Sequence, residues 1–415
     1  MTENDFPLQS SDSDSCRLNN SLSDWSDDQS VVRSDDQSVV RSDVQSDGQF
    51  DGRNSDSADG AGADPSEQIS GFAKIVPEKS CNLCGGDAVT VLSETDRRGR
   101  SLRTVICSKC GLVYTDPLPF DVKQYYSAEY RLDYKGAYIP KPKHVYRAGM
   151  TALDRFRRLG QGFLTSGASL LDIGSGGGEF VYLCRSLGLK AAGVEPNQGY
   201  AEYSKKELNL DIIIGRSDQD LPQENLDAVT IWHVLEHIDD PLAVLAKLKK
   251  IIKPKGHLVI EVPNIEAVCQ APGSTFHAAH IFSFSPKTLE ALACKAGYEK
   301  VSLSVSPDGG NILLVCRPRE DGGNILEPDW ADLADCGFRT AERIRQRTRL
   351  SYLVTGPWLR RMAARQMRAL SEWFWLAFRA KTNKNCLRKS ILDALYEPTL
   401  ARERLIVAKR LQAAD

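Results

Sequence analysis

The run Leu170-Leu171-Asp172-Ile173-Gly174-Ser175-Gly176-Gly177-Gly178-Glu179-Phe180 constrains this chain more than any other stretch. SLLDI, at 169–173, reads as a short buried strand. It breaks into glycines, which allow positive φ and close approach of the backbone to a ligand. Helical periodicity resumes at Glu179. A strand that stops in a glycine turn and restarts as a helix opens an α/β unit, whose ligand site lies at the carboxyl end of the strand. The carboxylate of Asp172, two residues before the first glycine, is awkward for a pyrophosphate. It suits a cationic group such as the amino group of an amino acid.

The pattern repeats downstream. LKAAGVE (189–195), DIII (211–214), DAVTIW (227–232) and HLVIEVP (257–263) read as strands separated by helical segments. That alternation predicts an open, mostly parallel sheet. GYEKVSLSVS and NILLVCR follow a helix at 286–296 and are split by a Pro-Asp-Gly-Gly turn, which predicts an antiparallel hairpin closing the sheet. Glu195, at the end of the second strand, can accept hydrogen bonds from both hydroxyls of a ribose, a feature shared with dinucleotide-binding domains.

LLDIGSGGGEF, GVEPN, LDAVTIWHVLEHIDDP, KPKGHLVIEVPN and HIFSFSPKTLEALACKAGYE, in this order, resemble the class I S-adenosylmethionine-dependent methyltransferases over roughly 167–318. The resemblance implies that Asp172, Gly174, Ser175 and Gly176 hold the methionine portion of S-adenosylmethionine. It implies Glu195 on the ribose, and Trp232 and His233 beside the methyl group. For the adenine contact, Asp218 or Asp220 of GRSDQDLP is the candidate.

Cys81-x-x-Cys84 and Cys107-x-x-Cys110 are two CxxC pairs. Four thiolates so placed supply the closed tetrahedral set of a structural zinc. Gly85, Gly86 and Gly111 follow the second cysteine of each pair, where metal-binding turns need permissive backbone. CNLCGG…CSKCGLVYTDPLP followed by YYSAEY resembles the zinc ribbon fused to one branch of these methyltransferases, found in sugar, polysaccharide and natural-product biosynthesis. The expected fold class is therefore α/β: a doubly wound, Rossmann-like methyltransferase sheet with a small N-terminal zinc ribbon and a helical C-terminal extension.

On the substrate side, His233-Val234-Leu235-Glu236-His237 follows the fourth strand, and His280 precedes the next helix. His233 and His280 are the candidate catalytic residues, as proton acceptors near neutral pH. Glu236, His237 and His280 also resemble part of the divalent-metal set of RNA 3′-end and quinone O-methyltransferases. Tyr125, Tyr126, Tyr130 and Tyr134 are expected to pack between ribbon and core.

The 415 residues divide by composition into a tail (1–70), the ribbon (78–120), a helical linker (121–166), the cofactor domain (167–318) and a basic helical region (319–415). The tail repeats SDDQSVVR at 26–33 and 34–41 and carries a net charge of −12, whereas 339–415 carries +12. So few large apolar side chains in the tail predict disorder. In the basic region, Arg361, Arg365, Arg368, Glu372 and Arg379 share one face of a helix, with Met362, Met367, Leu370, Trp373, Phe374 and Phe378 on the rest. The preferred expectation buries this apolar stripe on the core or in a dimer. Contact with a membrane surface or lipid-linked substrate is the other reading. Eleven cysteines, no secretory signal and no long apolar run point to the cytoplasm.

The function expected is methyl transfer to an oxygen or carbon of a small-molecule or glycan intermediate, with no nucleic-acid partner. The alternatives are an RNA methyltransferase and a non-catalytic zinc-ribbon interaction protein. An NAD-dependent oxidoreductase is disfavoured by Asp172 and the closing hairpin.

Overall fold

The computed structural model describes residues 74–75, 77–118, 139–159, 163–216, 221, 225–320, 327–354, 357–378 and 387–412, all in the compact unit Gly62–Asp415. The acidic tail, Tyr125, Tyr126, Tyr130, Tyr134, Asp218, Asp220 and Arg379 lie outside the described residues.

Twelve strands form two sheets among the described residues. The smaller sheet comprises β1 (Lys74–Ile75), β2 (Val89–Thr95), β3 (Ser101–Cys107) and β4 (Val113–Thr115), joined by β10 (Phe282–Ser283) in the order β1-β2-β3-β4-β10. The larger comprises β5 (Ser169–Ile173), β6 (Lys190–Glu195), β7 (Ile212–Ile214), β8 (Leu226–Trp232), β9 (Ile252–Pro263), β11 (Tyr298–Val305) and β12 (Asn311–Pro318). Its order is β11-β12-β9-β8-β5-β6-β7. Strands β5 to β9 run parallel, and β12 pairs antiparallel with both β9 and β11. This is the doubly wound sheet with a closing hairpin that the alternation predicts.

Helices α1 (Pro142–Leu159), α2 (Glu179–Ser186), α3 (Gln198–Leu208), α4 (Pro241–Lys249) and α5 (Pro286–Lys295) cover the large sheet. Their starts are written locally. Asn197 caps α3, and Asp240 caps α4 ahead of Pro241. Ser285 and Thr288 form a reciprocal capping box on α5. Strands β5, β8 and β9 are buried along most of their length, as parallel strands covered on both faces must be.

The C-terminal region supplies α6 (Trp330–Gln346), α7 (Arg349–Val354), α8 (Pro357–Phe378) and α9 (Leu387–Gln412). α9 packs on α1 and α2: Leu392 and Leu395 close over Gly149, and the Tyr396 hydroxyl donates to the Glu179 carbonyl at 2.9 Å. Arg388 pairs with Glu207 of α3. α6 crosses the ribbon where Gly111 meets Gly337.

The sheet of the ribbon takes in a strand from outside 78–120. β10, from beyond residue 280, pairs with β4 (Phe282 with Tyr114, Ser283 with Val113), and the Thr115 N–H donates to the Ile281 carbonyl at 2.8 Å. The apolar stripe of α8 is also not buried on the core: Met367, Leu370 and Trp373 are 67%, 62% and 57% exposed. Among the described residues, no helix is long and apolar enough to cross a membrane.

Candidate functional site

The glycine turn after β5 bends through three left-handed glycines, Gly174, Gly176 and Gly178, at φ 70°, 60° and 77°. A side chain at Gly174 would place its Cβ 2.3 Å from Val234 Cγ2, so the turn closes on the loop after β8. The Gly176 N–H donates to Glu195 Oε2 at 2.8 Å, and the Asn197 N–H to Glu195 Oε1 at 3.1 Å. The turn and the end of β6 thus orient one carboxylate. A cavity of about 580 Å³ opens here, lined by Gly174, Ser175, Gly176, Glu195, Trp232 and His233, among others. Two buried polar atoms on its wall, Ser175 Oγ and Trp232 Nε1, have no hydrogen-bond partner among the described residues. The cavity size and these polar atoms fit a small polar ligand, and the oriented Glu195 fits a ribose. The site therefore suits the adenosylmethionine expected there.

Asp172 lies near the end of β5, just before the glycine turn. It is not on the cavity wall but beneath it, buried, accepting a 2.6 Å hydrogen bond from the Thr230 hydroxyl. Burial raises its pKa to about 7, against the opposing pull of Thr230 and Arg155.

Past Trp232 the chain enters the left-handed region at His233, φ 55°, uncommon for a residue with a side chain. That turn points the ring between two carboxylates: His233 Nε2 lies 3.2 Å from Glu261 Oε1, and Nδ1 lies 3.5 Å from Glu236 Oε1. Burial would lower the imidazole pKa, but Glu236 and Glu261 outweigh it and raise it to about 9. This favours the protonated imidazole, paired to both carboxylates. His280 is pushed the other way, to about 3, by burial and by His237, so its ring is neutral and weakly basic.

Glu236 stands at the centre of this group. It is 1% exposed, lines the cavity, and neither carboxylate oxygen has a hydrogen-bond partner among the described residues. Burial opposes its ionisation, yet the neighbouring His237 and His233 lower its pKa to about 2. His237 Nδ1 donates to the Ala279 carbonyl at 2.6 Å, which fixes the ring and places Nε2 3.8 Å from Glu236 Oε1. Donor atoms of Glu236, His237 and His280 all lie within 4.8 Å of one another. No local sequence signal raises Glu236 above His233 and His280, because its burial on the cavity wall depends on groups distant in the chain.

Three further contributors had no motif. Arg155, on α1, lies over the Trp232 ring at 4.7 Å and faces Glu261. Arg158 pairs with Glu261 at 2.5 Å. Arg97, at the tip of the ribbon's β2–β3 hairpin, lines the cavity, and its N–H donates to the Phe276 carbonyl at 2.9 Å. The only prior signal for the arginines of α1 was their place on an amphipathic helix.

The four cysteines converge as their spacing predicts. Cys81 and Cys110 sulfurs are 3.5 Å apart, and Cys84 and Cys107 sulfurs 3.4 Å. Sulfurs around a tetrahedral zinc sit about 3.8 Å apart. Contact with Cys107 and the other thiols raises Cys81 and Cys110, while the same crowding lowers Cys84 and Cys107. Four thiolates do not share this space without a cation. The Gly86 N–H lies 3.4 Å from Cys84 Sγ, and a Cβ there would sit 3.3 Å from that sulfur. The donor set fits zinc, and all four ligand positions are filled by protein.

Sheet order, closing hairpin and glycine-turn cavity agree with the fold that the resemblance to class I methyltransferases implies. Residues 144–303 match the family described as a methyltransferase domain, Methyltransf_23. Similar proteins include a tRNA U34 carboxymethyltransferase of Dichelobacter nodosus, 33% identical over 139 residues, 31% of this chain and 45% of that protein. A mitochondrial ubiquinone biosynthesis O-methyltransferase of Schizosaccharomyces pombe is 35% identical over 23% of this chain and 38% of its own. The corresponding protein of Photobacterium profundum is 30% identical over 24% and 46%. The chain thus spans less than half the length of these relatives. Among solved structures, a SAM-dependent methyltransferase of Thermotoga maritima aligns over 48% of this chain at 19% identity, with a TM-score of 0.37.

Proposed function

We propose that this protein transfers a methyl group from S-adenosylmethionine to a hydroxyl oxygen of a small organic acceptor. Glu236 carries the reading: a buried carboxylate flanked by His233 and His237, with no hydrogen-bond partner for its oxygens among the described residues, on the wall of the cavity that the glycine turn opens. Such a group is costly to bury unless a ligand completes it. S-adenosylmethionine supplies an electrophilic methyl group on its sulfonium sulfur. The glycine turn and Glu195 hold the donor's polar ends, and Trp232 with Arg155 closes the wall beside them. Glu236 accepts a hydrogen bond from the acceptor hydroxyl, which aligns an oxygen lone pair with the methyl carbon. The oxygen–carbon bond forms as the sulfur–carbon bond breaks, and the hydroxyl proton passes to the Glu236–His237 pair. Protonated His233 holds Glu236 in place from the other side. The O-methyltransferases among the relatives support oxygen over carbon.

A second reading rests on the same cluster: a divalent cation held by Glu236, His237 and His280. Elemental analysis separates the two. One zinc per chain fits the first reading. A second metal ion that disappears in Glu236→Gln fits the other.

The test of the function is transfer of a tritiated methyl group to a panel of phenols, catechols, glycan intermediates and total tRNA. Label is expected in a small hydroxyl acceptor, with the rate falling about 100-fold in Glu236→Gln and donor affinity little changed. Label confined to tRNA refutes the small-molecule acceptor. Failure to bind either S-adenosylmethionine or its demethylated product refutes the enzyme.

A further inference from the structure

Helix α8 is amphipathic with its apolar face turned outward. At about 100° per residue, Glu372 and Trp375 share one face. That face meets the body: Arg147 donates to Glu372 at 2.7 Å, and the Trp375 ring lies 5.1 Å from Tyr146. Leu359, Met362, Leu370 and Trp373 recur on the opposite face, and all are exposed. Arg360 lies nearest the stripe, while Arg361, Arg365 and Arg368 lie on the Glu372 side of the helix, and all four are exposed. The preceding α7 adds exposed Leu350, Leu353 and Val354. A soluble helix would put its apolar stripe inward. This stripe is long and continuous, and a patch of this kind marks an interaction surface.

We infer that this face docks on an anionic phospholipid membrane, with the helix lying in the interface. The outward side chains, aliphatic with a Trp, and the arginines on the other side of the same helix are those of an interfacial helix. The charge is complementary to an anionic surface: α8 carries four arginines and one glutamate, and residues 339–415 carry +12. A second copy fits the face less well. Two-fold pairing sets the same apolar patch against itself and gives the exposed arginines of the helix no anionic partner.

The docking face lies beside the mouth of the cavity. Arg361 Nη1 donates to the Cys269 carbonyl at 3.0 Å, next to Gln270 on the cavity wall. α7 packs on the turn Pro272–Ser274, whose Ser274 also lines the cavity. A membrane-bound protein would thus hold its cavity rim close to the lipid surface. This inference does not rest on the chemistry proposed above, because membrane binding is measured without turnover.

The test is co-sedimentation of the full chain with phosphatidylcholine vesicles, with and without phosphatidylglycerol. Binding is expected only with the anionic lipid, and to weaken as salt rises. The double variant Leu370→Glu, Trp373→Glu should bind at least tenfold more weakly on both losing apolar burial and adding negative charge. Arg360→Ala should cost about fivefold. Zinc content and thermal midpoint should not change, since these side chains are exposed. As an independent readout, vesicles should blue-shift the fluorescence of the wild type more than that of Trp373→Phe. Equal sedimentation with and without phosphatidylglycerol overturns the inference. So does a dimer of the wild type that Leu370→Glu dissolves.

Discussion

A histidine between two carboxylates has a different charge from one in water, and here that decides which residue is available for chemistry. His233 is held protonated by Glu236 and Glu261, with its pKa raised to about 9. A raised folded-state pKa contributes stability that is fully present below the unfolded value, near 6.5, and is lost as pH rises through about 9. The thermal midpoint should therefore fall across that window, and the His233→Asn variant should show a flatter profile. Asp172 behaves in the opposite sense. Its carboxyl is raised from 3.8 to about 7, so its burial costs stability progressively as pH rises through that interval. Asp172→Asn should remove this dependence and make the ligand-free protein more stable above pH 7. It should weaken S-adenosylmethionine binding in titration calorimetry and leave zinc content unchanged.

At the level of elements, close backbone contacts mark where the C-terminal helices are docked. A Cβ at Gly337 would lie 2.6 Å from the Gly111 Cα, so α6 rests directly on the ribbon's second metal turn. Gly337→Ala should destabilise by about 1–3 kcal/mol, because backbone has little room to give. α6 ends at Arg347, which lines the cavity and donates to the Gln270 carbonyl at 2.6 Å. α9 is held by apolar burial, with Leu392 fully buried against α1. Leu392→Ala should cost about 2–5 kcal/mol in denaturant unfolding. The long α8 lacks such anchoring over most of its length, which is why its outward stripe calls for a surface to cover it.

Across the whole molecule, the ribbon and the cofactor domain share a sheet edge and a cavity wall. β10 belongs by sequence to the large domain but completes the ribbon's sheet, and Arg97 of the ribbon reaches the cavity. Zinc removal should therefore be felt at a distance. Chelation, or Cys107→Ser, is expected to lower the thermal midpoint, by more than about 4 kcal/mol in stability. It should also weaken S-adenosylmethionine binding, although no cysteine of the ribbon lines the cavity. Unchanged affinity in the zinc-free protein would show that the ribbon is only an appendage.

Much of this architecture was legible beforehand. β5 spans the residues its apolar run marked, 169–173, and the four cysteines meet as their spacing required. Both are properties of near neighbours in the chain: hydrophobic period, a glycine turn, paired thiols. β9 begins five residues earlier than its apolar stretch, at Ile252, because pairing with Leu226 of β8 extends it through polar positions. A two-residue strand such as β10 has no period of its own and exists only through its partner. The charge of His233, the unpartnered oxygens of Glu236, the burial of Asp172 beneath the turn and the outward face of α8 were likewise decided in three dimensions. Each depends on which groups distant in the chain come to lie beside it, and that is a property of packing, not of any local stretch of sequence.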